Sequence, residues 1–202
     1  MNTKTLPKIG EFIEAEGGYF GGTILAYGMR LGIIWAPKSE GETTAIWLPG
    51  YTGVSGAASC FNSVANTLAM AEAGSPLAAW ATGLQINGHN DWVIPARDVL
   101  ELGYRHLKPT TTETYCSFRD GDNPSSLPVG YPYTKATPTV QTSAEAFKSG
   151  GAEAFEACAY WASTQYSDDY AWCQYFLNGY QSNCVKSAEL RARAVRLIQL
   201  NP

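Results

Sequence analysis

The segment WCQYFLNGYQSNCV, residues 172–185, carries Asn178-Gly179 between two runs that are rich in aromatic residues. Asn-Gly in such a position is typical of the type I′ turn of a two-residue β-hairpin. A two-residue loop sets the register of the strands, and because side chains alternate along a strand, it also sets which of them share a face. The predicted cross-strand pairs are Cys173 with Cys184, Tyr175 with Ser182, and Leu177 with Tyr180, and the opposite face then carries Trp172, Gln174, Phe176, Gln181, Asn183 and Val185.

The composition indicates a protein with a substantial core and little charge. Of the 202 residues, 45% are hydrophobic and 16% are charged, and the formal net charge is -4. This hydrophobic content argues against wholesale disorder. Because a basic footprint is missing, we expect no nucleic-acid partner.

Neither a secretion signal nor a membrane anchor is indicated by the sequence. The first residues, MNTKTLPKIGEFIEAEGG, lack the apolar run of a signal peptide. No window reaches the apolar length of a membrane span. We therefore expect a soluble protein that is made and folded in a cytoplasm, with no membrane partner.

The chain has five cysteines, without CxxC pairs or the spacing of metal ligands, so no metal and no cofactor are expected. The hairpin register places Cys173 and Cys184 at a hydrogen-bonded position, where Cα atoms lie about 5.5 Å apart. That separation is within the range of a disulfide. The position orients the Cβ atoms less well, however, and a cytoplasm is reducing. We therefore expect adjacent free thiols in preference to a bridge.

The pattern along the chain predicts a single α+β domain over residues 1–202. Residues 10–54 read as β-hairpins, because Gly interrupts short aromatic and branched runs. Residues 158–198 read as a second β region. Three helices are predicted. The first spans residues 59–73 and has an apolar face of Phe61, Val64, Ala65, Leu68 and Ala71. A short helix follows Pro95, with Leu100, Tyr104 and Leu107 on one face, and a brief one lies at 143–147.

Residues 108–142 form a long excursion between these elements. The segment holds five prolines and many Thr and Ser residues. A loop of this length in a compact domain is usually functional or an assembly contact. Within it, Asp120-Gly121-Asp122-Asn123 is expected to be a polar turn, because the Gly and Glu positions of a calcium-binding EF loop are missing.

Four short elements follow one another in an order that is typical of one family. They are Trp92-Val93-Ile94-Pro95 before a short helix, Tyr160-Trp161-Ala162-Ser163-Thr164, the aromatic run from Ala171 to Gly179, and Ala192-Arg193-Ala194-Val195-Arg196. In these elements the chain resembles the Lcl C-terminal-like domain, which belongs to the C-type-lectin-like fold together with the formylglycine-generating enzymes. It departs from the pattern at Val93, Ala162 and Gln174, where the family has Arg, Ser and Val.

The resemblance implies a C-type-lectin-like fold with a small antiparallel or mixed sheet, two main helices and long loops. It is closest to the phage and prophage type, whose members also open with a Gly-Gly-rich hairpin like residues 10–38. Calcium-dependent lectins of this fold carry a Glu-Pro-Asn or Gln-Pro-Asp loop, and this chain has neither. Calcium is therefore not inferred.

Enzymatic activity is not indicated by the sequence. There are two histidines, His89 and His106, and none of the GxSxG, HExxH or Walker patterns is present. The formylglycine-generating relatives work through a pair of cysteines, but no cysteine of this chain can be placed on that pair. We expect no catalytic residue, with an enzyme of that type as the remote alternative.

The aromatic and polar residues of 160–183 divide into predicted core and predicted surface. Core positions are Trp92, Trp161, Trp172 and Phe176. The surface is a candidate ligand-binding site, since Tyr supplies rigid contact area and small polar residues supply hydrogen bonds. A solvated loop or a subunit contact is the alternative. The candidate residues are Tyr166, Ser167, Asp168, Asp169, Tyr170, Tyr175, Tyr180 and Ser182. The basic residues Lys186, Arg191, Arg193 and Arg196 are expected to pair with carboxylates or carbonyls.

Taken with the resemblance, these features favour a non-enzymatic phage virion protein that is displayed on the particle as an adhesin. Its partners would be a host cell-surface glycan or protein, other virion proteins, and further copies of itself in a homo-oligomer. The alternative is a protein that decorates the capsid or tail and buries its aromatic face against another subunit.

Overall fold

The computed structural model describes residues 6–117 and 119–200, and its architecture is α+β. Strands with one short helix come first along the chain, three helices follow, and a second group of strands comes last in the described residues. The strands are β1 Phe12–Ile13, β2 Gly18–Ala26, β3 Met29–Trp35, β4 Glu42–Ile46, β5 Ala159–Gln165, β6 Tyr170–Tyr175, β7 Gln181–Val185, β8 Glu189–Arg193 and β9 Val195–Gln199. The helices are α1 Lys38–Gly41, α2 Ser63–Glu72, α3 Pro76–Thr82 and α4 Arg97–Leu107, with 3-10 turns at Glu14–Glu16 and Glu145–Phe147.

The first sheet has the strand order β1-β2-β3-β9 and joins the two ends of the described chain. Strands β2 and β3 form a hairpin, as predicted, around Tyr27 and Gly28, which both have positive φ. Strand β9 pairs antiparallel with β3, from Leu31 opposite Gln199 to Trp35 opposite Val195. Residues 10–54 therefore need the end of the chain to complete their sheet.

The second sheet has the order β4-β8-β5-β6-β7 and is mixed. The pair β5 and β8 is parallel, while the other neighbours are antiparallel. Strand β4, although it lies within residues 10–54, belongs to this sheet. Strand β7 is an edge strand, so its backbone pairs with another strand on one side only.

The hairpin of β6 and β7 exists as predicted, but its predicted register is wrong. The amide of Tyr175 donates to the carbonyl of Tyr180 at 2.9 Å, which leaves a four-residue loop instead of the two-residue turn. Cys173 lies opposite Ser182, and Cys184 lies opposite Ala171. Because the register differs by two residues, every side chain stays on its predicted face.

The longer loop is explained by Phe176. Its side chain is fully buried, with its ring 4.1 Å from that of Phe155 and 4.9 Å from that of Tyr160. Its amide donates to the carbonyl of Cys158 at 2.9 Å. Burial of an aromatic side chain outweighs the preference of Asn178-Gly179 for a tight turn.

The helix predicted over residues 59–73 forms at Ser63–Glu72, and its predicted buried face is wrong. Val64 and Leu68 are 44% and 52% exposed. The residues that face the core are Ser63, Asn66, Thr67 and Met70. Helix α3, which begins at Pro76 behind the N-cap Ser75, was not predicted at all.

The polar face of α2 is buried because it binds the backbone that leads into α4. The amide of Ile94 donates to Thr67 Oγ1 at 3.0 Å, and the amide of Ala96 donates to Ser63 Oγ at 2.8 Å. Buried backbone groups must be paired, and here side chains pair them where no strand does. Hydrophobic periodicity therefore selects the wrong face.

Helix α4 confirms its prediction. Leu100, Tyr104 and Leu107 are buried in the core cluster between the sheets. Gly103 allows a close approach to β3, because a Cβ atom there would lie 2.5 Å from Cζ2 of Trp35. The helix thus packs on β3 while its other side faces the excursion at residues 108–142.

Three of the predicted core residues, Trp92, Trp161 and Phe176, have no exposed surface, whereas Trp172 is half-buried. The predicted pairing of the basic residues is confirmed. Arg193 binds Glu153 and the carbonyl of Ala36, Arg196 binds Asp91 and Glu16, Arg191 binds Glu42, and Lys186 donates to the carbonyl of Thr52. No helix in the described part of the chain is long and apolar enough to cross a bilayer.

Candidate functional site

The excursion at 108–142 contains no helix or strand in its described residues, yet it is firmly attached to α4. Glu101 of α4 has no exposed surface and accepts hydrogen bonds from the Tyr133 hydroxyl and from Asn123 Nδ2, both at 2.6 Å. Arg105, one turn further on, forms an ion pair with Glu101 at 2.8 Å and donates to the carbonyl of Gly121 at 2.6 Å. Side chains of one helix therefore order this irregular segment.

Lys108, which follows α4, holds the two arms of the excursion together. Its side chain is almost fully buried, and its ammonium donates to the carbonyl of Thr112, to the carbonyl of Thr139 at 2.9 Å and to Thr114 Oγ1 at 3.3 Å. Burial lowers the pKa of this amine. All three N–H donors are used within the protein, so Lys108 supports the segment instead of offering a charge to a ligand.

A cleft of about 700 Å³ lies between the two arms that Lys108 joins. Its size is within the range of small-molecule sites. Hydroxyl groups, one amide and one exposed lysine are present on its walls. The lining residues are Lys108, Thr111–Cys116, Thr134, Lys135 and Pro138–Gln141.

Three tyrosines continue from this cleft onto the hairpin, and we call Tyr115, Tyr175 and Tyr180 the tyrosine cluster. Tyr115 lines the cleft, and its ring meets that of Tyr180 edge-on at 5.2 Å. Tyr180 lies 6.1 Å from Tyr175 between ring centroids. The amide of Tyr115 donates to the carbonyl of Asn178 at 2.8 Å, which fixes the excursion to the hairpin loop. Tyr115 is 54% exposed and Tyr175 is 36% exposed.

The loop at 166–170 forms a second, separate aromatic surface. The amides of Tyr166 and Ser167 both donate to the carbonyl of Tyr170, and the amide of Tyr170 donates to Ser167 Oγ, so the loop is a closed turn. The ring of Tyr166 meets Trp172 edge-on at 5.2 Å. Arg97 covers the other part of Trp172, with its guanidinium 4.8 Å from the ring centroid, and this leaves the indole half-buried.

The eight predicted ligand-binding residues therefore do not form one surface. Tyr170 and Tyr175 lie on opposite faces of β6 and are five residues apart, which corresponds to about 17 Å along a strand. Tyr175, Tyr180 and Ser182 share a face beside the cleft. The other five, Tyr166, Ser167, Asp168, Asp169 and Tyr170, belong to the distant loop. The two groups separate because side chains alternate between the faces of a strand, and grouping residues by composition does not take this alternation into account.

Sequence reasoning missed Tyr115 and the threonines of the cleft as candidate residues. The length of the excursion was the signal that could have found them, since the prediction already treated 108–142 as functional or as a contact. Nothing in the sequence itself indicates that Tyr115 meets Tyr180, because 65 positions lie between them along the chain.

Burial raises the pKa of two carboxyl groups on the inner side of the excursion. Asp98 of α4 accepts from Ser125 Oγ at 2.6 Å, and burial raises its pKa to about 6. Asp120 accepts from the amides of Ser117 and Gln181, and burial raises its pKa as well. Asp120 therefore closes a polar turn, as its predicted role required.

Among its described residues, this site has no group of side chains arranged to bind a metal ion. Among residues 6–117 and 119–200, no three His, Cys, Asp or Glu side chains are grouped so that they could hold a metal ion. The groups that the cleft offers are hydroxyls, an amide, an aromatic ring, the Cys116 thiol and the exposed charges of Glu113 and Lys135. These groups bind by hydrogen bonding and stacking, which is the chemistry of recognition.

Comparison of the sequence with models of known protein families and with curated proteins gave no match.

Proposed function

We propose that the protein is a non-enzymatic phage virion protein of C-type-lectin-like fold that binds a glycan on the host surface. The binding site would be the cleft at 108–142 together with the tyrosine cluster. The observation that carries the proposal is the continuity of a hydroxyl-lined cleft of about 700 Å³ with exposed tyrosines on the neighbouring hairpin. Hydroxyls and amides can bind sugar hydroxyls, while aromatic rings cover the apolar face of a sugar ring.

The placement of the four sequence elements supports the C-type-lectin-like part of the proposal. Trp92-Val93-Ile94-Pro95 leads directly into α4, and Tyr160-Trp161-Ala162-Ser163-Thr164 lies within β5 at the centre of the second sheet. The run from Ala171 to Gly179 forms β6 and its loop, and residues 192–196 pass from β8 to β9. These positions are compatible with an α+β fold of this kind.

The geometry also supports binding ahead of catalysis. Lys108, the one buried amine in the cleft, has its donors bound to protein oxygens, so it is not poised as a base. The buried carboxylate of Glu101 is likewise engaged by Tyr133, Asn123 and Arg105. A general acid or base needs to reach a reacting group, and these two side chains are enclosed by their partners.

A decoration protein of the capsid or tail is the second candidate, favoured by the edge strand β7. Tyr175, Leu177 and Val185 are 36%, 40% and 36% exposed on or beside this strand. An unpaired edge with exposed hydrophobic residues can pair with another subunit. In that case the tyrosine cluster would be covered on the particle.

The two candidates are separated by binding of purified protein to host cells, to a glycan array and to empty particles. The test variant is Tyr115→Ala/Tyr180→Ala. The matched control is Tyr166→Ala/Tyr170→Ala, which removes two exposed or half-exposed tyrosines from the other surface. Truncation of central aromatic contacts usually costs a tenfold loss of affinity or more, about 1.4 kcal/mol.

We expect the Tyr115/Tyr180 variant to lose glycan and cell binding while it keeps the melting temperature of the control. Loss in the Tyr166/Tyr170 variant alone would move the site to the 166–170 loop. Binding to cells that survives removal of surface glycans would indicate a protein receptor. Binding to empty particles without any binding to cells would favour the decoration protein.

A further inference from the structure

Cys173 and Cys184 bring two sulfur atoms together on the hairpin, at a distance of 3.1 Å. They are not directly opposite, since Cys173 pairs with Ser182 and Cys184 with Ala171, but they are diagonal neighbours on the same face. Both are free thiols in the structure. Formation of a disulfide, whose S–S bond is about 2.05 Å long, needs a further approach of about 1 Å.

The two thiols have different surroundings, and the difference assigns them different roles. Cys173 is 2% exposed and packs in the core cluster with Trp161 and Trp47. Cys184 is half-buried and lies on the edge strand β7. A reagent from solvent can therefore reach Cys184 first, with Cys173 directly behind it.

The hydrogen bond between the thiols separates their acidities. Either sulfur can be the donor of this bond, and with Cys173 as the donor the pKa of Cys184 falls below its usual value. The same bond, together with burial, raises the pKa of Cys173 far above its usual range. A lowered pKa increases the fraction of Cys184 that is thiolate, and the thiolate is the form that attacks disulfides.

The location on an edge strand allows the movement that a bridge requires. Diagonal residues on neighbouring strands have Cα atoms about 7–8 Å apart, a little beyond the usual range of a disulfide. Strand β7 has a strand partner on one side only, and the loop that joins it to β6 has four residues. A small displacement of β7 therefore disturbs one ladder and leaves the centre of the sheet in place.

We propose that Cys184 and Cys173 form a reversible oxidation site that reacts with low-molecular-weight disulfides by thiol–disulfide exchange. The Cys184 thiolate attacks one sulfur of the small disulfide, forms a mixed disulfide and releases one small thiolate. Cys173 then passes its proton to solvent and attacks Sγ of Cys184, which breaks the mixed disulfide, closes the Cys173–Cys184 bond and releases the second small thiolate. The protein loses two electrons, and the small disulfide is reduced to two thiols.

This inference does not depend on the proposed function, but it places the reaction next to the tyrosine cluster. Tyr175 and Tyr180 lie on the same face of the hairpin as the two sulfurs. The bridge would join β7 to β6 on the face that also carries these two rings. In a protein that leaves a reducing cytoplasm, the two cysteines would be thiols during assembly and would be bridged outside the cell.

The test is incubation of the full chain with oxidised glutathione at pH 7.5, followed by peptide mapping under non-reducing conditions. We expect wild type to yield a linked peptide that joins Cys173 to Cys184, and dithiothreitol to reverse it. Cys173→Ser should stop at the first step and carry glutathione on Cys184. Cys184→Ser should leave Cys173 unmodified. Near-UV circular dichroism of each variant before oxidation checks that the fold is intact.

Cys116 provides the control for mere exposure, because it is an exposed thiol whose Sγ lies 3.7 Å from the carbonyl oxygen of Thr114. If Cys116 takes up glutathione as fast as Cys184 does in the Cys173→Ser variant, the thiol pair confers no special reactivity and the proposal fails. It also fails if wild type shows no Cys173–Cys184 peptide. A further measurement is the rate of alkylation of Cys184 against pH, whose midpoint should lie lower in wild type than in Cys173→Ala, which removes the neighbouring donor.

Discussion

The excursion at 108–142 and the C-terminal β region at 159–199 contrast in how they satisfy their polar groups. The strands of the β region pair their backbone groups with neighbouring strands, β5 to β8 in the five-stranded sheet with β4, and β9 in the first sheet with β3, so the stabilisation is spread over many bonds. The excursion has no strand or helix in its described residues, and it depends on a few buried side chains of α4 and of the residue after it. Those side chains are Asp98, Glu101, Arg105 and Lys108.

The difference teaches where single substitutions should act. Loss of one hydrogen bond from a sheet leaves its neighbours in the ladder. Loss of one buried charged side chain in the excursion leaves several partners unpaired together, and such groups carry the full cost of desolvation. The excursion should therefore respond locally and strongly to changes at α4, although it makes up much of the candidate site.

Substitution of Glu101 should produce the largest effect. Glu101→Ala removes the acceptor for Tyr133 and Asn123 and leaves Arg105 without its buried partner. Removal of one member of a buried ion pair usually lowers the free energy of unfolding by about 3–5 kcal/mol. Denaturant unfolding and amide hydrogen exchange should show this loss, with residues of the excursion exchanging much faster.

The control for Glu101 is Arg119→Ala, which breaks an exposed ion pair with Asp122 in the same segment. Exposed pairs of this kind contribute little, so no measurable change in stability is expected. Equal effects of the two substitutions would show that the buried network does not order the excursion. Exchange that accelerates equally in the β region and the excursion would show that the two regions unfold as one unit.

A pH-dependent effect is expected at Asp98, whose pKa burial raises to about 6. Between pH 4 and 6 the folded state binds a proton that the unfolded state, with an ordinary Asp pKa, has released. Stability contributed at this position is therefore highest at low pH and is lost as pH rises through about 6. Asp98→Asn, which keeps an acceptor for Ser125, should remove this loss.

The stability gain of Asp98→Asn over wild type should be close to zero at pH 4 and approach about 3 kcal/mol above pH 7, as an upper figure. Urea unfolding of both proteins from pH 4 to pH 8 measures it. Burial also raises the pKa of Glu42 and of Asp120, but both residues are present in both proteins, so they cancel in the difference. A gain that does not vary with pH would mean that Asp98 is ionised throughout.

Much of the fold could be predicted from local sequence, because helix α4 and the two hairpins follow from spacing and turn residues. What could not be predicted depends on contacts between distant segments. The register of β6 and β7 is set by Phe176, which packs on Phe155. The face of α2 is set by the backbone near Ile94, whose amide needs Thr67. Strand alternation and helical periodicity are properties of one element, so they carry no information about Phe155 or about the backbone near Ile94.

The candidate site was predictable to a smaller extent for the same reason. The aromatic composition of 160–183 identified Tyr175 and Tyr180 correctly as residues near a surface, since their exposure follows from the hairpin alone. It could not assign Tyr166 and Tyr170 to a different surface, because that assignment requires knowing on which face of β6 each tyrosine lies. Tyr115 joins the cluster only through the folded path of the excursion, which has no periodic pattern.

The smallest of these effects is expected at Lys108, where the comparison can be made within the cleft itself. Lys108→Met keeps the apolar stem but removes the donors to the carbonyls of Thr112 and Thr139. Unpaired buried carbonyls cost roughly 1–3 kcal/mol, partly offset because the ammonium itself is desolvated in the fold. We expect a small decrease in melting temperature and a clear increase in hydrogen exchange at the two arms of the cleft.

Lys135→Met is the matched control, since Lys135 lines the same cleft but is exposed. It should leave hydrogen exchange unchanged, and any effect it has should be on ligand binding through the lost surface charge. The reverse pattern, with rigid arms in Lys108→Met and mobile arms in Lys135→Met, would contradict the role of Lys108. Because Lys108 joins the two arms, its loss should weaken the proposed glycan binding through a disordered cleft, without any contact between Lys108 and the ligand.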